Sequence, residues 1–277
     1  MPSTNSSSGD APYLTIECET SDAIGRITLN RPKTRNAISP TMAEEIVHAL
    51  RAWESDPAVR VVSLRGAGEN FCSGGDLAPD PANAPTRTGS AASITLDIMN
   101  QIYGELIRTL YRFPKPVIAI VEGVAAGAGA NLAFVCDLVY ATPTARFSEI
   151  FVKRGLGLDC GGSFLLPRLI GMQKAKELAF FGDWVSAEEA HRIGLVTAVY
   201  DEQNLGTEAE AKLQILAKRP PIALGQIKQS LHRASSVSMS EALEIEAVAQ
   251  AMCTATEDCQ EGIRAFIEKR EPSFKGA

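Results

Sequence analysis

Apolar and polar positions change period along the chain, which predicts a mixture of strands and helices. Residues 13–18 (YLTIEC) and 25–30 (GRITLN) are short and rich in β-branched side chains, as in two strands joined by a polar turn. Residues 60–65 (RVVSLR) and 116–121 (PVIAIV) are continuous apolar runs and are predicted to be buried strands.

The segment after RPKTRNAISP changes to helical spacing. Met42, Ile46, Ala49 and Trp53 recur at intervals that place them on one face of a helix, so this face is predicted to be buried. Ser39 precedes the helix as its predicted N-cap, because its hydroxyl can accept a hydrogen bond from the first turn. A second helix is predicted over 95–112, after a Pro-, Ala-, Ser- and Thr-rich loop at 79–94.

Glycine-rich segments follow the two buried strands and recur once more. They are NFCSGGDL (70–77), EGVAAGAGANLAFVCD (122–137) and RGLGLDCGGSFLLPRLIG (154–171). Glycine serves tight turns first, but it also lets the backbone approach a ligand closely. Each segment taken alone is compatible with either use.

The last third of the chain is predicted to be mainly helical. The predicted helices are 172–182, 186–193, 206–218, 221–233, 238–253 and 255–269, with a short strand at 195–200. The recurrence of strand, glycine loop and helix in the first part favours a stacked ββα spiral. The chain therefore divides into a disordered tail (1–11), a spiral core (12–200) and a C-terminal helical region (201–277).

Composition narrows the possible functions. The chain has 277 residues and a net charge of −6, which argues against nucleic acid as a partner. It has no apolar run of eighteen residues, so no membrane span is expected. The polar first eleven residues lack the pattern of a signal peptide. The six cysteines form no CxxC pair or His-Cys cluster, so we expect reduced thiols in a cytoplasmic protein and no metal site.

Two nucleotide-binding motifs are excluded. Gly127 and Gly129 are spaced as in a dinucleotide fingerprint, but residue 132 is leucine and no acidic strand end follows at the required distance. The GxxxxGK[ST] phosphate loop is also absent.

Six segments taken together, in order, resemble the crotonase superfamily, which is the enoyl-CoA hydratase/isomerase family. They are LNRPKTRNAIS, FCSGGDL, EGVAAGAGANLAFVCDLVYAT, ARF, GLGLDCGGSFLLPRLIG and SAEEAHRIGLV. The resemblance extends over residues 13–275. It implies an α/β (α+β) fold, a crotonase-like stacked ββα spiral with a C-terminal helical trimerisation region, assembled as a homotrimer or a dimer of trimers. It also implies acyl-CoA thioester substrates, with no cofactor beyond the coenzyme A that the substrate carries.

The resemblance gives two of the glycine segments a chemical role. Enzymes of this family stabilise a thioester enolate with two backbone N–H groups, which form an oxyanion hole. By resemblance these groups belong to Gly75 and Ala128. Most relatives have glycine at the second position, so the methyl group of Ala128 narrows the loop without removing its N–H.

The resemblance also implies a larger set of residues that contact the acyl-CoA. These are Arg35, Ala37, Ser73, Gly74, Asp76, Leu77, Gly127, Asn131, Phe151, Phe274 and Lys275. Arg31, Lys33 and Arg35 form a basic loop that is expected to meet the phosphates on an otherwise acidic protein. Asp76 is expected to stabilise the glycine loop by capping local N–H groups. Phe274 and Lys275 resemble residues that cover the adenine.

The acidic positions distinguish between reactions. Hydratases of the family use two glutamates around one water, and these positions are occupied here by Asn131 and Phe151, which transfer no proton. Glu149 lies two residues from the second position and would serve only after a shift of register. Asp159 occupies a third position, at which isomerases of the family and a dehalogenase type carry an aspartate.

Asp159 has two interpretations. An apolar, glycine-rich setting would raise the pKa of its carboxyl and suit a base, but Asp is also a favoured N-cap for a helix starting near Gly161. The dehalogenase type also requires a histidine, and His48, His191 and His232 lie on helices outside the glycine segments. The leading hypothesis is a CoA-thioester isomerase with Asp159 as the proton shuttle. The alternatives are an enoyl-CoA hydratase that uses Glu149 and an acyl-CoA binder that has lost activity.

Overall fold

The computed structural model describes residues 13–77 and 89–277. The predicted tail at 1–11 and most of the predicted loop at 79–94 lie outside the described residues. Its last residues are described, and they belong to a helix that begins at Ala91. The predicted boundary at 94 is therefore wrong, because Ser90 caps the helix by accepting a hydrogen bond from the Ser93 N–H.

Two sheets are formed by the strands of the described residues. The strands are β1 (Ile16–Ser21), β2 (Ile24–Leu29), β3 (Val61–Gly66), β4 (Val117–Val121), β5 (Val124–Ala126), β6 (Leu138–Ala141), β7 (Arg146–Ser148), β8 (Val185–Ser186) and β9 (Ala198–Val199). The first sheet has the order β1-β2-β3-β4-β6-β9 and is parallel except for the β1–β2 pair. The second has the order β5-β7-β8. The four strands predicted first are confirmed as β1 to β4, within a few residues.

Helices follow the strands in a repeating order. They are α1 (Pro40–Glu54), α2 (Ala91–Ile98), α3 (Gly104–Arg112), α4 (Ala128–Phe134), α5 (Gly162–Phe181), α6 (Ala187–Ile193), α7 (Glu202–Ala217), α8 (Pro221–Ala234), α9 (Met239–Thr254) and α10 (Glu257–Glu268). The unit β4-β5-α4 is followed by β6-β7-α5, so each turn adds one strand to each sheet and then a helix. This confirms the predicted ββα spiral.

The central strands β3 and β4 of the first sheet are buried on both faces, as expected for strands with continuous apolar runs. On one face the sheet packs against α1, whose predicted stripe of Met42, Ile46, Ala49 and Trp53 is buried. Ser39 caps α1, because its hydroxyl accepts a hydrogen bond from the Met42 N–H at 3.2 Å. On the other face the sheet packs against the apolar side of α7.

Helix α5 begins inside the third glycine-rich segment. Residues 162–170 belong to the third glycine-rich segment, where a helix starting near Gly161 is one interpretation of the sequence, and they form the first half of α5. Gly171 has φ 75° and ψ 160°, a conformation outside the helical region, which divides α5 into two segments. Leu165 and Leu166 in the first half are buried, so tertiary packing outweighs the local preference of the glycines for a turn.

The C-terminal region consists of the helices α7 to α10. Lys228 of α8 reaches the core, where its Nζ lies 2.7 Å from Asp137 Oδ2, and Asp137 also accepts a hydrogen bond from the Val117 N–H. All six cysteines are free thiols. In the described part of the chain, every helix is too short or too polar to cross a bilayer.

We predict that Lys228→Met destabilises the protein by about 3 kcal/mol, because the largely buried Asp137 carboxylate would lose the ammonium group that neutralises it. Urea unfolding at fixed protein concentration measures the change. The matched control is Lys153→Met, which breaks an exposed pair with Asp183 and should cost at most about 1 kcal/mol. Equal losses for the two variants would contradict the prediction.

Candidate active site

The first glycine loop presents a free backbone N–H. Gly75 pairs with Ile38 as a parallel bridge, in which the Ile38 N–H donates to Gly74 O and the Asp76 N–H donates to Ile38 O, both at 2.8 Å. Because this pattern uses the groups on either side of Gly75, its own N–H faces away from Ile38. Gly75 is exposed, and a Cβ added there would meet no atom within 4 Å.

The second glycine loop presents another N–H at the start of α4. The Gly127 N–H donates to Ser148 O at 2.8 Å, and Gly127 has φ 52°, which favours glycine. Ala128 is the first residue of α4, so its N–H has no partner within the helix. The predicted pair Gly75 and Ala128 thus consists of two N–H groups that the secondary structure leaves available.

Backbone contact without intervening side chains joins the two loops. The Cys72 N–H donates to Val124 O at 2.9 Å, and the Ala126 N–H donates to Cys72 O at 3.0 Å. A Cβ on Gly74 would lie 3.0 Å from Ala126 O, and one on Gly129 would lie 2.4 Å from Cys72 O. The second distance leaves no room for any side chain, so these glycines set how closely the loops approach.

An ion pair ties the basic loop to the first glycine loop. Arg31 Nη2 lies 2.7 Å from Asp76 Oδ2, and Arg31 Nη1 donates to Ala37 O at 2.6 Å. The positive charge of Arg31 is therefore directed at Asp76, which leaves Lys33 and Arg35 as the exposed cations of this loop. That the three cations of this loop meet the phosphates stays a prediction. One partner of Asp76 is thus the guanidinium of Arg31, and the expected capping of local N–H groups by Asp76 stays a prediction.

Further contacts bring the predicted binding residues together. The Ser73 N–H donates to Arg35 O at 2.9 Å, and the Ser73 hydroxyl donates to Thr34 O at 3.0 Å. Leu77 is 73 % exposed at the end of the loop. The described residues 31–37 and 73–77 therefore form one continuous surface next to the Gly75 N–H.

Tyr103 is buried next to this surface and stabilises it through a hydrogen bond. It ends a π-helical turn (Met99–Tyr103) between α2 and α3, and its hydroxyl donates to Ile38 O at 3.0 Å. Burial raises the pKa of Tyr103, so its hydroxyl stays protonated and remains a donor. Ile38 O thus accepts from Tyr103 and from the Asp76 N–H, which holds the strand beside Gly75.

The C-terminal tail is fixed elsewhere within the chain. The Lys275 N–H and the Gly276 N–H donate to the Asp258 carboxylate at 2.6 and 2.9 Å, and Arg60 donates to Phe274 O at 3.0 Å. None of these hydrogen bonds involves the described residues 31–37. That Phe274 and Lys275 cover an adenine therefore stays a prediction.

Asn131, Glu149 and Asp159 form a cluster of polar side chains around the Asn131 amide. Asn131, on α4, is fully buried, and its Nδ2 donates to Asp159 O at 3.0 Å and to Glu149 Oε2 at 3.4 Å. Glu149 is 2 % exposed. Asn131 Oδ1, Glu149 Oε1 and Asp159 Oδ1 are buried without a hydrogen-bond partner among the described residues. Such unpaired atoms are rare and characteristic of functional sites.

The surroundings favour the neutral forms of both carboxyls. Burial raises the pKa of Glu149 to about 8, and the Asp159 charge adds to this effect, while the Asn131 hydrogen bond opposes it. Burial also raises the pKa of Asp159, partly offset by a hydrogen bond from the Cys160 thiol. Perturbed carboxyls of this kind are candidates for proton transfer.

Asp159 does not cap the next helix. Gly161 is at the N-cap position of α5 and no side chain caps this end. The Asp159 backbone carbonyl accepts from the Gly162 N–H at 3.0 Å, which leaves the carboxyl free for another role. Cys160 and Gly161 both have positive φ, 47° and 80°, so the turn that carries Asp159 has an unusual backbone conformation.

Glu149, two residues from the aligned hydratase position, belongs to the polar cluster around Asn131. Phe151, at the aligned position, is buried in a 3₁₀ helix (Ile150–Arg154) next to Gly127. The sequence position of Glu149 is consistent with an inward orientation, because Glu149 directly follows β7 and lies two residues after the buried Phe147. Alternation along a strand places both residues on one face.

The histidines have partners elsewhere. His48 Nδ1 lies 2.9 Å from the Tyr13 hydroxyl, His191 Nδ1 lies 3.0 Å from Val196 O, and His232 stacks on Tyr111 at 4.0 Å. None of these contacts involves the described glycine loops, so the geometry gives no support to the dehalogenase type.

Comparison with known proteins finds similarity over nearly the whole chain. The sequence model of the family described as enoyl-CoA hydratase/isomerase matches residues 19–277. The 1,2-epoxyphenylacetyl-CoA isomerase of Escherichia coli (strain K12) is 39 % identical over 250 residues, which cover 90 % of this chain and 94 % of that protein. The 2,3-dehydroadipyl-CoA hydratase of the same strain is 34 % identical, with the same coverage.

Solved structures give the same result. The crystal structure of an enoyl-CoA hydratase from Polaromonas sp. JS666 matches with a TM-score of 0.86 and 35 % identity, covering 94 % of this chain and 99 % of that one. The relatives thus share the fold and include both isomerases and hydratases.

We predict that Gly129→Ala destabilises the protein by about 1–3 kcal/mol and displaces the second loop, because the new methyl group would overlap Cys72 O. Gly206→Ala in α7 is the matched control, since a Cβ there meets no atom within 4 Å, and it should stabilise by up to about 1 kcal/mol. Thermal unfolding of both variants tests this. Two stabilised variants would show that the loops are not in close contact.

We also predict that Glu149→Gln flattens the pH dependence of stability. Between the ordinary pKa of a glutamate, 4.5, and about 8, the unfolded chain has lost this proton and the folded chain keeps it. The wild type should therefore lose about 1.4 kcal/mol per pH unit as pH rises through this window. Glu208→Gln, at an exposed position of α7, is the control. Parallel curves for wild type and Glu149→Gln would disprove the burial of a neutral Glu149.

Proposed function

The chain belongs to the enoyl-CoA hydratase/isomerase family, and we propose that within it the chain is an isomerase that moves a proton along the acyl group of a CoA thioester. The family acts on acyl-CoA thioesters, and the fold is crotonase-like. The observation that carries the proposal is the Asp159 carboxyl, which does not cap a helix and whose Oδ1 is buried without a hydrogen-bond partner among the described residues.

The proposed cycle needs one base and two N–H donors. The thioester oxygen accepts hydrogen bonds from the N–H groups of Gly75 and Ala128. Ionised Asp159 takes a proton from a carbon of the acyl group, the C–H electrons move toward the thioester oxygen, and an enolate forms. Asp159 then returns the proton to another carbon, and the electrons move back. The substrate and product differ only in the positions of a proton and a double bond, so the cycle balances without a co-reactant.

The electrostatics of the site support this use of Asp159. The raised pKa makes its carboxylate a stronger base than an exposed aspartate. Asn131 and Phe151 replace the acidic residues that would flank a water in a hydratase. The relative that is 39 % identical is named an isomerase, 1,2-epoxyphenylacetyl-CoA isomerase, which also favours this reaction class.

A second candidate function is hydration of a 2-enoyl-CoA. It is favoured by the position of Glu149, whose carboxyl belongs to the same cluster as Asp159 and has an unpartnered oxygen. Two carboxyls in one cluster could flank a water. The relative named 2,3-dehydroadipyl-CoA hydratase is consistent with this alternative.

For the assembly we propose a homotrimer or a dimer of trimers formed through the C-terminal helices. Large apolar side chains remain exposed on α8 to α10 in the isolated chain. They include Leu231, Met239, Leu243, Val248, Phe266 and Ile267. Contiguous apolar surface of this kind marks an interaction site in a stable protein.

We predict that Asp159→Asn lowers turnover of a 3-enoyl-CoA at least about a hundredfold, since general-base catalysis contributes that much, while CoA still binds. Formation of the conjugated 2-enoyl thioester is followed by its ultraviolet absorbance, and CoA affinity by calorimetry. Asp201→Asn, at an exposed position before α7, is the matched control.

Three outcomes would contradict the proposal. Full turnover in Asp159→Asn would remove Asp159 from its role. Water addition to crotonyl-CoA that is lost in Glu149→Gln would favour the hydratase. Stabilisation by CoA without turnover of any thioester would favour an acyl-CoA binder.

A further inference from the structure

Asn131 occupies the position of a hydratase acid, yet it transfers no proton, so its complete burial needs another explanation. It lies on α4, one turn after Ala128, and its side-chain amide donates to the backbone of the turn that carries Asp159. The amide is thus the recorded hydrogen-bond link between the helix that provides an oxyanion donor and the turn that provides the base.

The turn requires such a link. Cys160 and Gly161 follow Asp159 with positive φ, a conformation that costs free energy for a non-glycine residue such as Cys160. A Cβ on Gly162 would lie 2.6 Å from Asn131 Nδ2, so the turn packs directly on the amide. The Asp159 carbonyl accepts from both the Gly162 N–H and Asn131 Nδ2, each at 3.0 Å.

The hydrogen-bond donors and acceptors of the cluster indicate that the Glu149 carboxyl is neutral. An ionised Glu149 would add only acceptors to a cluster in which Asn131 Oδ1 and Asp159 Oδ1 already lack donors. No lysine or arginine within the described residues forms an ion pair with Glu149 or Asp159. A neutral carboxyl contributes an O–H donor and still accepts from Asn131 Nδ2, so it fits the cluster better.

We propose that Asn131 is a positioning residue that holds the Asp159 turn at a fixed place relative to the Ala128 N–H, and that Glu149 in its neutral form orients the Asn131 amide. This inference rests on the proposed function, because it takes Asp159 to be the base. It assigns Glu149 a role that differs from acid catalysis. Proton transfer is sensitive to displacements of about 1 Å, so loss of this support should reduce turnover more than binding.

Ionisation of Glu149 should disturb the arrangement. The titratable groups that act on Glu149 are Asp159 and Cys160, both on the turn before α5. The second half of α5 ends next to it with Gly182, which brings no charge. A second buried carboxylate without a cation would draw in water and release the amide, so the effect should begin where Glu149 loses its proton.

The first test compares Asn131→Leu with Asn204→Leu, an exposed position of α7. We expect Asn131→Leu to lower kcat about ten- to hundredfold, with KM and CoA affinity within about threefold of wild type, because Asn131 is fully buried and both recorded hydrogen bonds of its amide go to protein groups. Asn204→Leu should match the wild type. An unchanged kcat in a folded Asn131→Leu variant would overturn the proposal.

The second test remains informative if Asn131→Leu fails to fold. Glu149→Leu removes the acceptor and should lower kcat about tenfold, whereas Glu149→Gln keeps an acceptor oxygen and is neutral at every pH, so it should lose less. Wild-type kcat should fall above about pH 8, and this alkaline limb should be absent in Glu149→Gln. Equal loss of activity in both Glu149 variants at every pH would assign Glu149 to proton transfer and refute the positioning role.

The outcome for Asp159→Asn separates the two proposals. If that variant retains turnover, the proposed function fails regardless of Asn131. If it loses turnover while Asn131→Leu and Glu149→Leu behave as the wild type, only the positioning role fails.

Discussion

Direct backbone contact between two glycine loops is the constraint on which the candidate site depends. Gly129 leaves no space between α4 and Cys72 O, and Gly74 comes almost as close to Ala126 O. Two N–H groups from distant parts of the chain can converge on one oxygen only if the strands that carry them lie at sheet spacing with no side chain between them. The ββα spiral provides this geometry, because each turn delivers a strand end and a helix start to the same edge.

Burial determines what the carboxyls near these N–H groups can do. A carboxylate in water is a weak base, whereas one that has lost its hydration regains basicity from the same desolvation that raises its pKa. Glu149 and Asp159 share this environment, but their hydrogen bonds differ. Asn131 donates to a carboxyl oxygen of Glu149 and to the backbone carbonyl of Asp159. The amide therefore engages the carboxyl of Glu149 and leaves the carboxyl of Asp159 uncontacted. The chemistry therefore follows from which carboxyl the amide engages.

Sequence patterns predicted the elements whose periodicity is strong and indicated only weakly those interrupted by glycine. The apolar stripe of α1 and its Ser39 cap are local features, and both were found. The first half of α5 was indicated only by the possible N-cap at Asp159, because Gly161 and Gly162 suggest a turn, and the packing of Leu165 and Leu166 keeps that segment helical. The motifs pointed to Gly75, Ala128 and Asp159 as site residues, and their roles stay predictions. The pairing of Arg31 with Asp76 and the inward orientation of Glu149 arise from contacts between segments far apart in sequence, which periodicity does not encode.

The amide at position 131 connects these observations to the choice of reaction. A glutamate there would offer a proton to a water beside the second oxyanion loop. An asparagine there is one methylene shorter than glutamate, and its two N–H donors both find acceptors inside the protein. A neutral amide can hold a turn with positive φ in place without adding charge to a cluster that already contains two carboxyls. In the proposed single-base proton shift, asparagine at this position thus removes one proton-transfer group and helps to fix the turn that carries the other.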